Sequence, residues 1–223
     1  MRPPFHCRAL LFDLDGTLID TVPDIADAVD RALLDLSLPP AGLARVRAWV
    51  GNGAAKLLER ALRHAGVSPE EMSVRALDLF LRHYGDEFTA RSELYEGVAD
   101  TLDRLAARGL RLAVCTNKPS AFVAPLLRHF HIDRYFTLSV GADDLPQRKP
   151  HPAPLLHLAA AFGLKPGECL MVGDSSNDVE AARAADMPVI GVSYGYNHGV
   201  PITDSRPDAV VDRFAQLAEL VAV

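Results

Sequence analysis

The sequence predicts an α/β fold, a doubly wound parallel sheet interrupted by a helical insertion. Three observations carry that expectation. Apolar runs alternate with amphipathic helical stretches from Gly97 onward, the pattern of strand–helix–strand crossovers. Ala9–Phe12 stands apart near the start and is uniformly apolar, as a strand buried on both faces must be. Between them, helical periodicity runs from Ile25 to Leu36 and over residues 43–90, with no convincing strand in the latter stretch. That stretch is too long for a simple crossover, so it reads as an inserted domain.

In chain order, the first strand ends in Asp13 and Asp15. Two residues apart on an extended chain, they point the same way while Leu14 turns to the interior. Gly16 lets the chain turn sharply. Two acids at the end of a buried strand are costly unless compensated. A divalent cation would compensate them, and oxygen-only ligands suit Mg²⁺. Thr21 stands three before Asp24, a capping-box-like helix start with Pro23 in the first turn. Ile25, Ala28, Val29, Ala32, Leu33 and Leu36 follow at helical spacing, and Pro39–Pro40 stops the helix. Residues 43–90 stay helical, with breaks at Gly51-Asn52-Gly53 and Gly66-Val67-Ser68-Pro69.

Past Gly97, a helix carrying Val98, Leu102 and Leu105 closes at Gly109. A strand over 110–115 ends in Thr116-Asn117-Lys118-Pro119, and a helix runs to about Phe130. A strand follows over 136–140, then a loop containing Lys149-Pro150, then a helix to Phe162. The strand over 168–172 ends in Gly173-Asp174, and an alanine-rich helix carries Asp178. Strands over 189–192 and 209–211 and a short helix over 216–221 complete the chain.

Right-handed crossovers put every carboxyl end of such a sheet on one edge, where ligands bind. Asp13, Asp15, Thr116, Lys149, Asp174 and Asp178 all fall at that edge. Asp13 is placed as a nucleophile towards phosphorus, and Asp15 as general acid and then general base. Thr116 at a helix N-terminus suits an anion. Lys149 can neutralise the nucleophile and the phosphoryl oxygens. Asp174, with Asp13 and the Asp15 carbonyl, completes an oxygen cage for Mg²⁺, and Asp178 supports it from one helical turn on. Taken singly, each has a plainer reading: a cap, a solvated lysine, a dipole partner, a turn residue. Their coincidence at one edge argues for them jointly.

In order along the chain, Asp13-Leu14-Asp15-Gly16-Thr17, Thr116-Asn117, Lys149-Pro150 and Gly173-Asp174-Ser175-Ser176-Asn177-Asp178 resemble the motifs of the haloacid dehalogenase superfamily of aspartyl phosphohydrolases. The resemblance implies a Rossmann-like core over residues 1–18 and 97–223 and a helical cap of the C1 type over 19–96. Trp49-Val50-Gly51-Asn52-Gly53, Thr116-Asn117-Lys118-Pro119 and Ser193-Tyr194-Gly195-Tyr196-Asn197 are similar to one branch of that superfamily, the bacterial phosphoglycolate phosphatases. It implies a Mg²⁺-dependent phosphomonoesterase that cleaves 2-phosphoglycolate through an aspartyl-phosphate. Thr17, Asn117 and Lys118 join the substrate contacts on that ground.

An acid at Asp15 favours an alkoxide leaving group over a halide, which needs no proton. In the insertion, Gly51, Asn52 and Gly53 offer backbone N–H groups to an anion. Lys56 is expected to pair with a substrate carboxylate, or to serve as the Schiff-base lysine of a phosphonate hydrolase. Arg60 is expected on a solvated face. Other readings are a phosphatase for another small phosphate such as a sugar phosphate, a phosphomutase, and a non-catalytic phosphate-binding module.

A net charge of −6 without a basic run argues against nucleic acid. No apolar stretch is long enough to span a bilayer, and the N-terminus shows no signal-peptide core. Cys7, Cys115 and Cys169 are odd in number and read as reduced thiols. The expectation is a cytoplasmic enzyme for a small phosphorylated metabolite, monomer or homodimer.

Overall fold

The computed structural model describes residues 4–222. Its main sheet has six parallel strands. In chain order they are β2 (Ala9–Phe12), β5 (Arg111–Cys115), β6 (Phe136–Val140), β7 (Cys169–Gly173), β8 (Val189–Val192) and β9 (Ala209–Val211). Across the sheet the order is β6-β5-β2-β7-β8-β9. The chain winds outward from β2 on one side, then returns to wind outward on the other. The reversal leaves a crevice beside β2, at the edge where the acids emerge.

Strand alternation divides the core in two. Leu10 and Phe12 pack with Val98 and Leu102 of α5 (Val98–Ala107) and with Val123 and Leu126 of α6 (Ser120–His129). Ala9 and Leu11 face the other way, onto Leu155 and Leu158 of α7 (Ala153–Ala161) and Val179 and Ala182 of α8 (Ser176–Ala184). Each fully buried leucine or phenylalanine of β2 contributes roughly 1.5–3 kcal/mol to holding that strand between its helix layers.

Between β2 and α5 the chain forms α1 (Val22–Asp35), α2 (Leu43–Trp49), α3 (Ala54–His64) and α4 (Pro69–Glu87). These helices bury their own apolar cluster, including Val29, Leu33, Val46, Leu58, Leu62 and Phe80. Their two chain crossings to the sheet pair as a short antiparallel ribbon, β3 (Ile19–Asp20) with β4 (Glu93–Leu94).

Three local expectations need correction. Thr21 begins α1 but its side chain does not cap it; the hydroxyl donates to Asp15 instead, and Asp24 accepts from Ser92 and the Arg91 N–H. The C-terminal helix is only α9 (Leu217–Leu220). Val221, expected in it, belongs to β10 (Val221–Ala222), which pairs in parallel with β1 (Phe5–His6). The strand expected over 168–172 is shifted by one residue, to Cys169–Gly173.

Candidate active site

The pairing of β2 with β7 fixes where the first acid begins. The Asp13 N–H still donates to the Val172 carbonyl at 2.9 Å, while the side chain has left the sheet. Its Oδ1 accepts the Leu14 N–H at 2.7 Å and lies 3.0 Å from Lys149 Nζ. Lys149 is buried, and its ammonium also donates to the Cys115 carbonyl at 2.6 Å and to Asp178 Oδ1 at 2.7 Å. Burial alone would lower the lysine's pKa, but Asp13 and Asp178 outweigh it and hold the ammonium charged above its ordinary range. For Asp13, burial raises the carboxyl above the usual carboxylate range; Lys149 pulls it back, and Asp178 and Asp15 add to the rise.

Asp15, half-buried, takes a different partner set. Its Oδ1 accepts the Thr21 hydroxyl at 2.6 Å and Lys118 Nζ at 3.0 Å, with Oδ2 3.3 Å from the same ammonium. Lys118 is buried and sits 4.6 Å from the centroid of the Tyr84 ring. Burial would lower its pKa, yet the Asp15 carboxylate beside it keeps it raised.

Asp174 follows β7. Its Oδ1 accepts the Thr17 hydroxyl at 3.2 Å and its Oδ2 the Tyr196 N–H at 2.7 Å. Burial raises its pKa first, and Asp13 and Asp178 raise it further. Two glycines make room for it: a Cβ on Gly16 or Gly195 would lie 2.4 or 2.2 Å from Asp174 atoms. Asp178 Oδ2 accepts the Ser175 N–H at 3.1 Å and its hydroxyl at 2.9 Å, closing the capping box of α8.

One oxygen from each of Asp13, Asp174 and Asp178 lies within 4.8 Å of the others. These are hard oxygen donors, crowded beyond what Lys149 neutralises, in a cradle that glycines keep open. The set fits a divalent cation. The Asp15 carboxylate is outside that group and faces Lys118 instead.

The residues expected to bind substrate separate into two sets. Asp13, Asp15, Thr116, Asn117, Lys118, Gly51 and Gly53 line one small cleft, with about 50 Å³ of free space. Ile25, Val50, Leu57, Phe80 and Tyr84 close it from the helical side. Thr116 Oγ1 accepts the Lys118 N–H at 3.1 Å, so the hydroxyl stands at the start of the loop. Asn117 Nδ2 donates to the carbonyls of Gly51 and Lys149, each at 2.9 Å, and its Oδ1 is buried without a partner. Thr17 is buried behind the cleft as a donor to Asp174.

Lys56 and Asn52 are placed differently. Lys56 is exposed, and its ammonium pairs with Glu59 at 2.8 and 3.0 Å, one turn along the same helix. It lines a second, more open groove with Arg148, Lys149 and His151, not the cleft lined by Asp13, Asp15 and Lys118, so the expected carboxylate-reader and Schiff-base roles have no support from that cleft. Asn52 shares that groove and acts on protein groups: Nδ2 donates to Asn177 Oδ1 at 3.1 Å. Arg60, expected to be solvated, is half-buried and donates to Asn52 Oδ1 at 2.6 Å and to the Trp49 carbonyl. Asn177 donates to the Gly51 carbonyl at 3.2 Å.

Sequence reasoning missed Thr21 and Tyr84. Thr21 was hidden by a capping signature, and Tyr84 by its place in the apolar periodicity of α4. Tyr196 is buried and bonds to the start of α1. Its hydroxyl accepts from the Thr21 and Val22 N–H groups at 3.0 and 3.2 Å and donates to Asp20 at 2.7 Å. The three cysteines are buried and unbonded to one another; burial pushes the Cys7 and Cys115 thiols up to about 12. Among the described residues no helix is long and apolar enough to cross a membrane.

The chain is similar to known proteins along most of its length. A family model of the haloacid dehalogenase-like hydrolases matches residues 7–186. The chain is 48% identical over 96% of its length to a phosphoglycolate phosphatase of Pectobacterium atrosepticum, covering 92% of that protein. It is 45% identical, again over 96%, to one from Nitrosococcus oceani, covering 96% of it. The crystal structure of a predicted phosphoglycolate phosphatase from Haemophilus somnus 129pt superposes with a TM-score of 0.91 at 40% identity, covering 96% of this chain and 97% of that one.

Proposed function

The chain belongs to the haloacid dehalogenase-like hydrolases, and from that premise we propose that it hydrolyses 2-phosphoglycolate to glycolate and phosphate through an aspartyl-phosphate on Asp13. What supports this reading is a pair of buried ammonium groups paired with the two acids of the cleft, Asp13 and Asp15. Lys149 is committed to Asp13 and Asp178. Lys118 stands at a second position, on Asp15. A substrate with an anionic group at each end meets a cation at each end. The phosphoglycolate phosphatases named above support the same substrate.

In this reading the Asp13 carboxylate attacks phosphorus as the bond to the glycolate oxygen breaks. Asp15 protonates that oxygen, so glycolate leaves as an alcohol. Asp15 then takes a proton from water, whose oxygen attacks the phosphorus. Phosphate departs and the Asp13 carboxylate is restored. Thr116 can donate to the phosphoryl oxygens, Lys149 offsets their charge from its place on Asp13, and Gly51 and Gly53 border the cleft from the helical side. Asp13 and Asp174, with the Asp15 carbonyl, would hold a divalent cation, which we take to be Mg²⁺; Asp178 supports that set through Lys149 and Ser175. The cation supplies charge neutralisation for the phosphoryl group.

The same reading divides the chain into a core of residues 1–18 and 97–223 and a cap of 19–96 that closes on it. Since Lys56 lies outside the cleft, the phosphonate-hydrolase reading loses its Schiff-base lysine. The test is phosphate release from 2-phosphoglycolate, ethyl phosphate and hexose phosphates, ranked by kcat/KM. Highest efficiency on 2-phosphoglycolate is expected. A preference for a hexose phosphate would overturn the substrate assignment and leave the phosphatase chemistry standing.

A further inference from the structure

We propose that the Tyr84 hydroxyl, together with the Lys118 ammonium, is the subsite that reads the substrate carboxylate, so that α4 supplies a specificity-determining residue. The inference rests on the 2-phosphoglycolate reading above.

Tyr84 is 2% exposed, and among the described residues its hydroxyl makes no well-formed hydrogen bond; the Lys118 ammonium beside it is the charge that acts on it most. Its ring sits among phenylalanines: stacked on Phe80 at 5.5 Å, edge-on to Phe122 at 4.9 Å and tilted to Phe88 at 5.9 Å. All of those contacts need a ring, and a phenylalanine would make them equally well. A buried hydroxyl without a partner destabilises the protein that carries it. Here the ring lines the cleft beside Asp15 and Lys118, where an incoming group can meet the hydroxyl.

The neighbour defines what that group is. Asp15 takes at most two of the three Lys118 N–H donors, which leaves one. A neutral O–H donor and a cationic N–H donor side by side match the two oxygens of a carboxylate. The phosphoryl end of the substrate is held elsewhere, at Asp13, Thr116 and Lys149. Ile25, Leu57 and Phe80 make the surrounding wall apolar. A substrate ending in a methyl group would leave the hydroxyl unpaired and the spare N–H unused, a penalty that discriminates more sharply than extra apolar contact does.

The experiment compares 2-phosphoglycolate with ethyl phosphate, which has a methyl group where the former has its carboxylate. The readout is the ratio of the two kcat/KM values, in wild type and in Tyr84→Phe. Loss of a hydrogen bond to a charged group should lower the ratio about 10-fold or more, mainly through the KM for 2-phosphoglycolate. The melting temperature of substrate-free Tyr84→Phe should equal or exceed that of wild type. A wild-type preference for 2-phosphoglycolate that survives in Tyr84→Phe within twofold overturns the inference and leaves the substrate reading intact. No preference in wild type removes both. A lower melting temperature with an unchanged ratio assigns the hydroxyl a structural role and also overturns the inference.

Discussion

The Lys149 ammonium has three donors, and each has a buried acceptor: Asp13, Asp178 and the Cys115 carbonyl. It therefore fixes the orientation of the Asp13 carboxylate without a substrate present. Asp13→Asn keeps the side-chain volume and an acceptor for the Leu14 N–H but removes the nucleophile. Turnover should fall at least about 1,000-fold with the circular dichroism spectrum unchanged. Residual activity near wild type in a preparation free of host phosphatase would rule out the covalent route. Lys56 presents the opposite case. Among the described residues its ion-pair partner is Glu59, and an exposed pair of that kind contributes about 0–1 kcal/mol. Lys56→Ala should leave the KM for 2-phosphoglycolate within about twofold of wild type; a tenfold rise would mean that the lysine reaches the substrate after all.

At the scale of elements, the turn between α2 and α3 joins the helices to the sheet edge. The Gly51 carbonyl accepts from both Asn117 and Asn177, which follow different strands. Gly51 and Gly53 both have positive φ, 126° and 84°, a backbone that a side chain would strain. Arg60 secures the turn by gripping Asn52 and the Trp49 carbonyl. Arg60→Leu should cost about 1.5–3 kcal/mol in urea unfolding and raise KM, because both bonds involve a charged donor. Unchanged stability and KM would show that the turn holds itself. The sheet edge was legible in the sequence because β2, β5 and β7 run abruptly into Asp13, Thr116 and Asp174, and crossover handedness then brings those residues together. Periodicity places Lys56 on α3, with Glu59 three residues on as its neighbour on the same helix face, but it does not say which groove that face lines. Thr21, Arg60 and Tyr84 carry patterns identical to a cap, a solvated face and a core position. The pairing of β1 with β10 joins two-residue segments, too short for any period to register.

For the molecule as a whole, the crowded acids at the sheet edge make the metal-free protein pH-sensitive. Asp13 and Asp174 have raised pKa values when folded, so between the ordinary carboxylate range and those values the folded chain holds more protons than the unfolded one. Stability conferred by those protons is present at low pH and lost as pH rises through that window. Melting temperature in EDTA should therefore fall between about pH 5 and about pH 8, and added Mg²⁺ should restore it most at the higher pH. A metal effect independent of pH would separate the cation from these two acids. The Gly51 carbonyl and its two asparagine donors have a further consequence, for the tempo of the reaction. In the proposed reaction, glycolate and phosphate would be released beneath bonds that must part before either product escapes, so the enzyme should turn over no faster than that seam opens. Friction with the solvent then becomes part of the rate: kcat should decline as sucrose thickens the buffer, and Asn177→Ala should weaken that dependence. A kcat indifferent to viscosity would place the slow step in bond cleavage.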